Sequence, residues 1–507
     1  MRKYFAILLL SLTVSTGCKD FLTVEPLHKI SGNAYWKSRS DVEAFTLDLY
    51  LQFRNKLTST SFLPATGELR SGFIRSAINV NTNTSPEQKR RLVYESFAVN
   101  DLKNILTSGK AWNDMNFVSI TTWRDFYKVI QGANILIDRL DTEIPGMSER
   151  DKDPYRAEAA FLRSLAYFMM VRIYGDVPYY IAAYTKDMLP RENMVSVVNK
   201  CIEDVARYKD GAIVSFSDPS YRAVRATKGA LLDLLMNMNM WNAGFDEENA
   251  EEYYRAAADY GKELMDLNAY QLVPIENFRE VTRGRSTEGI FEFNQSVNYS
   301  GAANYLAFFG EMMLKFPNKG SGDNNASSHA YFKPAYLAKL YSVGTSDKRY
   351  SLWFNPSTIN AANGNFELLK YKGEIAAATG PFAIPEYGVM IFRYAEALLL
   401  RAEALAELGE EEEARKVVNM VRRRAGALDI VESGQALKNA IFLERGRELM
   451  GEGHLYFDLI RTGRILNGEW TDNPLTQDQF NRGGWTWPIT SEAVINNPLI
   501  TLNSYWQ

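Results

Sequence analysis

The sequence predicts a mainly α-helical protein in which paired helices form a scaffold and irregular segments pack on it. Apolar residues recur at three- and four-residue steps in several stretches, which is the pattern of amphipathic helices. Between them, residues 58–122 are rich in Ser, Thr, Asn and Gly, and residues 270–390 combine Gly and Asn with many aromatic residues. Segments this long are uncommon unless they are functional or disordered, and their aromatic content argues against disorder.

Residues 391–426 give the clearest helical pair. The first helix ends at Gly409, and the second opens with four glutamates at 410–413. Acidic residues suit a helix N-terminus, and the arginines at 422–424 suit its C-terminus, with Gly426 as a left-handed cap. The first helix is expected to bury one stripe and to expose the glutamates beside it. The stripe comprises Ala395, Leu398, Leu399, Ala402, Leu405 and Ala406, and the glutamates are Glu396, Glu403 and Glu407.

Three further stretches, residues 155–174, 223–243 and 251–267, show the same helical spacing. The last two read as partners in a second pair. Several such pairs predict a scaffold of helical repeats of the tetratricopeptide type.

The first residues predict export. Arg2 and Lys3 precede an apolar stretch from Tyr4 to Val14, which is too short to span a bilayer. Small residues then lead to Cys18, as in a bacterial lipobox. We therefore expect a signal peptide at residues 1–17 and a mature chain at 18–507, lipidated at Cys18 and held at the membrane by its acyl chains. Ser15 stands where a lipobox usually has leucine, so an ordinary secretory signal is the alternative.

Composition excludes other classes. The net charge of −4 and the lack of a strongly basic stretch argue against nucleic-acid binding. The only other cysteine, Cys201, lies among valines at helical spacing and is expected to be a buried thiol. The 9 Trp, 28 Tyr and 27 Phe exceed what a core requires.

A series of motifs, in order over nearly the whole chain, resembles the SusD/RagB family of outer-membrane nutrient-binding lipoproteins. The motifs are Cys18-Lys19-Asp20-Phe21-Leu22, Trp123-Arg124-Asp125-Phe126-Tyr127, Arg156-Ala157-Glu158-Ala159, Tyr174-Gly175-Asp176-Val177-Pro178, Arg393-Tyr394-Ala395-Glu396-Ala397, Glu452-Gly453-His454, Trp487-Pro488-Ile489 and Asn497-Pro498.

The resemblance implies four tetratricopeptide-like helix pairs with a loop-rich region packed on them. It also implies a role outside the cell. Such proteins capture glycans, or in some members peptides, and deliver them to a SusC-like TonB-dependent outer-membrane transporter. Lys19 and Asp20 resemble the signal that sends these lipoproteins to the outer face of the outer membrane.

Glycan binding needs an aromatic platform for the sugar ring and polar side chains for its hydroxyls. In the family the ligand site is built from the early loop and the middle irregular region. The candidates in this sequence are Glu68, Arg70, Phe73 and Trp112 in the early loop, and Asn298, Tyr299 and Tyr305 in the middle region.

The sequence gives little support for catalysis or metal binding. No nucleophile elbow, phosphate loop or dinucleotide motif occurs, and the chain has three histidines. We therefore expect no catalytic residues and no cofactor. Glu452, His454 and Asp458 read as a structural network, and Glu444, Arg445, Arg447 and Glu448 read as helix-face ion pairs. The turn Asp323-Asn324-Asn325 offers calcium ligands but is better explained as an exposed turn.

Two alternatives stay open. The first is a peptide or protein receptor on the same scaffold, because tetratricopeptide grooves commonly bind extended peptides. The other is a helical glycoside hydrolase, whose two carboxylates sequence spacing cannot identify.

Overall fold

The computed structural model describes residues 35–60, 62–77, 95–103, 117–185, 187–293, 308–318, 327–342, 344–375, 383–384 and 388–507. Helices predominate in this part of the chain, and the strands are few and short, which confirms the predicted fold class. The predicted signal peptide, Cys18 and the turn at 323–325 lie outside the described residues.

The described helices are α1 (Arg39–Thr58), α2 (Phe62–Gly67), α3 (Arg124–Leu140), α4 (Glu149–Tyr174), α5 (Met194–Tyr208), α6 (Lys228–Ala243), α7 (Ala250–Asp266), α8 (Arg279–Arg283), α9 (Phe308–Met312), α10 (Pro334–Leu340), α11 (Arg349–Leu352), α12 (Tyr394–Glu407), α13 (Glu411–Arg424), α14 (Gly434–Glu448), α15 (Leu455–Arg461), α16 (Gln477–Asn481) and α17 (Ser491–Asn496).

Four pairs of long helices form the scaffold: α1 with α3, α4 with α5, α6 with α7, and α12 with α13. Successive pairs also contact each other, because α3 packs on α4, α5 on α6, and α7 on α12. Neighbouring helices can approach each other closely where one of them has a glycine at the contact. A Cβ atom on Gly261 of α7 would lie 2.9 Å from side-chain atoms of Met236 in α6 and Arg401 in α12.

Helix α4 begins at a capping box, in which Ser148 and Asp151 each accept a hydrogen bond from the other's backbone N–H. It is then buried along nearly its full length, because α1, α3, α5 and α6 all contact it. The helices predicted at residues 155–174, 223–243 and 251–267 are confirmed as α4, α6 and α7, with α4 starting earlier and α6 later than expected.

The pair predicted at residues 391–426 is confirmed as α12 and α13, and Gly409 and Gly426 both have the positive φ of a left-handed cap. The predicted exposure within α12 is wrong. Glu396 is 0% exposed and Glu403 is 6% exposed. The reason is that α7, α13 and α14 surround α12, so a helix that reads as one-sided is covered on all sides.

Among the described residues, three small antiparallel sheets lie in the segments between helices. They pair β1 (Ile74–Ser76) with β3 (Ala330–Phe332), β2 (Gly289–Phe293) with β6 (Val389–Arg393), and β4 (Glu374–Ile375) with β5 (Ala383–Ile384). The β1–β3 pair places Arg75 opposite Tyr331 and joins the early loop to the middle region. In the β2–β6 pair, Phe291 and Phe293 pack on aromatic side chains of the scaffold.

One apolar core runs through the helices and the loop-rich layer. Cys201 is buried in it, as predicted, and so are Trp485 and Trp487 near the C-terminus. Within the described ranges, the helices are too short or too polar to cross a membrane.

Candidate ligand-binding site

The structure places the early-loop candidates in the interior, which differs from the loop surface expected from the sequence. Glu68 is 1% exposed, and its Oε1 accepts a hydrogen bond from the N–H of Gly453 at 3.0 Å. Burial raises the pKa of Glu68 to about 8, so the carboxyl group is protonated at neutral pH. The contact holds the early loop against the segment that precedes α15.

Arg70 ties the same loop to the C-terminal segment. Its guanidinium donates to the carbonyl oxygens of Gly484 at 2.7 Å and Trp485 at 2.5 Å, and its Nε donates to Asn100 Oδ1 at 2.8 Å. The group also lies over the ring of Tyr456, 4.8 Å from the centroid. Arg70 is 1% exposed, and its N–H donors are used within the fold. The residue therefore links the early loop to the C-terminal segment.

Phe73 is 7% exposed and stacks face to face on Tyr336 of α10, with ring centroids 4.0 Å apart. Its apolar surface is thus taken up by the fold. The physical reason for all three placements is the same: α10 and the chain after α14 cover the early loop. The remaining candidates, Trp112, Asn298, Tyr299 and Tyr305, lie outside the described residues.

The early loop and the middle region contact each other at the β1–β3 sheet. The N–H of Ala77, directly after β1, donates to the carbonyl of His329 at 2.9 Å, and the N–H of His329 donates to Met312 at 2.7 Å. Arg75 of β1 pairs with Glu95. The sheet therefore joins described residues of the two regions that the sequence assigned to ligand binding.

Aromatic contacts hold the described residues that lie next to the candidate segments. Phe309, which follows the segment holding Tyr305, stacks on Phe332 of β3, with centroids 6.4 Å apart. Phe117, which follows the segment holding Trp112, packs edge-on against Phe97 at 4.8 Å. Phe97 in turn packs against Trp487. Rigid packing of this kind gives loops a fixed base, which is where binding residues are usually carried.

A cleft of about 530 Å³ opens within the middle irregular region. This volume is typical of small-molecule sites. Its floor includes Phe278 and Trp353, which pack against each other at 4.6 Å, and the buried indole N–H of Trp353 has no acceptor within the described ranges. Leu352, Leu369, Arg279 and Lys372 complete the walls and rim. The cleft lies in the region that the sequence assigned to ligand binding.

Beneath that cleft is a buried ionic network centred on Glu448. This carboxylate accepts hydrogen bonds from Arg349 at 2.7 Å and Arg393 at 2.8 Å, and it contacts Arg424. Burial opposes the charge of Glu448, but the three guanidinium groups outweigh burial and hold its pKa well below the usual range. The other members are Glu288, Asp347, Lys370, Glu444 and Glu452.

The network corrects one prediction from the sequence. Glu444 and Glu448 are 0% exposed and Arg445 is 2% exposed, so they are not surface ion pairs of a helix face. Helix α10 packs on α14, and Arg349 of α11 reaches the α14 carboxylates. The middle region therefore covers the face that the sequence assigned to solvent. Arg422 and Arg424 join this network, beyond the helix-end role expected of them.

Glu452 and Asp458 are buried in ionic networks, in line with the structural role that the sequence assigned to them. Glu452 binds Arg393 and Lys370, and Asp458 binds Arg445 at 2.9 Å. Burial lowers the pKa of His454, which favours a neutral imidazole. The described part of the chain contains no cluster of His, Cys, Asp and Glu side chains arranged to hold a metal ion.

Two family models match the chain. Residues 383–506 match the SusD family, and residues 67–238 match a model described as starch-binding and associating with the outer membrane. A SusD-like protein of Formosa agariphila is 26% identical over 98% of this chain and 97% of its own length.

Solved structures are similar over almost the whole chain. A SusD homolog from Bacteroides thetaiotaomicron is 36% identical, with a TM-score of 0.80 over 93% of this chain and 99% of the other. A laminarin-binding SusD-like protein is 20% identical, with a TM-score of 0.68 over 92% and 99% of the two chains, and so shares the fold.

Proposed function

Because the chain belongs to the SusD family, we propose that it is a lipid-anchored cell-surface protein that binds oligosaccharides and delivers them to a SusC-like TonB-dependent outer-membrane transporter. The observation that carries this proposal is the match over 93% of the chain to a SusD homolog at 36% identity. The starch-binding family model and the laminarin-binding structural relative support a glycan as the ligand.

The ligand site that we propose is formed by the early-loop and middle segments that hold the remaining candidates. Trp112, Tyr299 and Tyr305 supply ring faces for the sugar, and Asn298 supplies hydrogen bonds to its hydroxyls. Support comes from the anchored flanks of these segments, since Phe309 and Phe117 are both held by aromatic packing. Glu68, Arg70 and Phe73 serve the site as the rigid base beneath it.

We propose binding without turnover. Hydrolysis of a glycosidic bond needs two carboxyl groups that reach the sugar. The carboxyl groups of the buried networks, such as Glu448 and Asp458, are instead neutralised by arginines within the core. The proposed site therefore recognises the glycan by contact and leaves it intact.

The membrane part of the proposal rests on the sequence. Acyl chains at Cys18 anchor the protein, and Lys19 and Asp20 direct it to the outer face of the outer membrane.

Calorimetric titration of the mature chain against a panel of plant, host and microbial oligosaccharides tests the proposal. We expect at least one saturable ligand, with affinity reduced in Trp112→Ala and Tyr299→Ala. The matched control is Tyr184→Ala, because Tyr184 is 63% exposed in the loop between α4 and α5. Binding of peptides instead of glycans, unaffected by the two loop variants, would indicate the peptide receptor.

A further inference from the structure

A second cleft, near the C-terminal end of the chain, is lined by residues outside the proposed ligand segments. It has a volume of about 320 Å³ and is formed by the turn after α4, the start of α5, the end of α6 and the chain around α16. This size is at the lower end of the ~300–1,000 Å³ range for small-molecule sites. None of its residues falls within residues 58–122 or 270–390.

One wall of this C-terminal cleft is aromatic. Phe245 and Phe480 are stacked with their planes 10° apart and their centroids 6.1 Å apart, and Trp485 packs against Phe245 at 5.7 Å. Trp485 is buried, whereas Phe245 and Phe480 are only partly buried. The two phenyl groups therefore leave apolar surface open to the cleft, as a platform for the C–H face of a sugar does.

The other wall is polar, and its hydrogen-bonding capacity is only half used. Asp176 Oδ1 accepts from the N–H of Met194 at 2.9 Å, while its Oδ2 accepts no hydrogen bond within the described residues. Asn503 Nδ2 donates to Tyr174 and Thr486, and no donor in the described ranges reaches its Oδ1. The unused oxygens of Asp176 and Asn503 suit the O–H donors of neighbouring sugar hydroxyls.

The charges at the rim do not favour an acidic ligand. Arg482 donates to the carbonyl of Ser504 at 2.9 Å and lies 3.5 Å from Asp478, so its charge is balanced. Asp176 would repel a carboxylate or a sulfate. These charges favour a neutral saccharide over an acidic one.

We propose that the C-terminal cleft is a second saccharide-binding site, which takes a neutral hexopyranose unit between the Phe245–Phe480 platform and the Asp176–Asn503 oxygens. This inference rests on the proposed function for the chemistry of the ligand. A second contact on the same protein holds a long glycan at two points, which raises its avidity without strengthening either site.

The test is calorimetric titration with two neutral probes, maltoheptaose and laminarihexaose. Wild-type protein is compared with a loop variant, Trp112→Ala/Tyr299→Ala, and with two cleft variants. Phe480→Ala removes half of the platform, and Ser504→Trp fills the exposed cleft without removing any core packing. Phe216→Ala is the control, because Phe216 is also a partly buried ring with two neighbours, Tyr221 and the guanidinium of Arg225. Circular dichroism verifies the fold of each variant.

The cleft substitutions and the control substitution are also introduced into the loop variant. We expect residual binding in the loop variant, which Phe480→Ala and Ser504→Trp weaken about tenfold and Phe216→Ala does not. Residual binding that neither cleft substitution weakens would overturn the second site. Binding that is lost in the loop variant and unchanged in both cleft variants would overturn the second site and leave the proposed function standing. Wild-type protein that binds neither probe overturns the second site, and silence across the wider glycan panel would overturn the proposed function as well.

Discussion

Replacing the central carboxylate of the buried network, by Glu448→Gln, should cost the protein a large part of its stability. Glu448 is 0% exposed and is hydrogen-bonded to Arg349 and Arg393, with Arg424 also in contact. Glutamine keeps the shape but removes the charge, and its amide N–H groups face guanidinium donors. One carboxylate oxygen becomes an N–H, so at least one of the charge-assisted hydrogen bonds at 2.7–2.8 Å is lost. The buried arginines keep other carboxylates as neighbours but lose the one that they share.

The expected loss of stability depends on the buried charges that remain when the Glu448 carboxylate is removed. Removing one partner of a buried ion pair typically costs about 3–5 kcal/mol, because the other charge is left uncompensated. A surface pair is worth under about 1 kcal/mol. Glu410→Gln is the matched control, since Glu410 pairs with Arg255 at the surface, with their side chains 42% and 47% exposed.

Equilibrium unfolding in guanidinium chloride, followed by circular dichroism and tryptophan fluorescence, measures both variants. The free energy of unfolding should fall by about 3–5 kcal/mol for Glu448→Gln and by less than about 1 kcal/mol for Glu410→Gln. Equal losses in the two variants would refute the reasoning, because they would mean that the network is hydrated or not assembled.

Three further predictions concern single residues. The pKa of Glu68 is about 8 in the fold and about 4.3 in the unfolded chain, so the contribution of Glu68 to stability should fall as pH rises from about 4.5 to 8. Glu68→Gln should therefore be more stable than wild type at pH 8 but not at pH 4. Denaturation at several pH values measures this, and a stability difference that does not change with pH would contradict it. Burial raises the pKa of the Cys201 thiol, so Ellman's reagent should react with the unfolded chain and not with the native one. Labelled fatty acid should be incorporated into the full chain and not into Cys18→Ser; equal labelling would place the lipid elsewhere.

The helical scaffold could be predicted because its signals are local. The spacing of apolar residues identified α4, α6, α7, α12 and α13, and Gly409 and Gly426 marked helix ends through their backbone freedom. Local spacing does not show whether the polar faces of a helix are also buried. The glutamates of α12 read as solvent-facing, yet Glu396 and Glu403 are buried because partners distant in sequence supply arginines.

The candidate site was harder to predict, for the same physical reason. Glu68, Arg70 and Phe73 have the polar and aromatic character of ligand contacts, and no local pattern distinguishes that role from packing. Their partners, Gly453, Trp485 and Tyr336, lie far along the chain. The C-terminal cleft could not be predicted from local patterns either, because its aromatic and polar walls come from segments about 300 residues apart.

The central claim is that the folded chain holds a glycan and does not cut it. The most direct measurement follows heat of binding and release of new reducing ends in the same samples, with the mature protein and a panel of oligosaccharides. The account predicts saturable binding of at least one glycan and no increase in reducing ends after prolonged incubation. Steady production of shorter saccharides, abolished by replacing a single carboxylate, would contradict it.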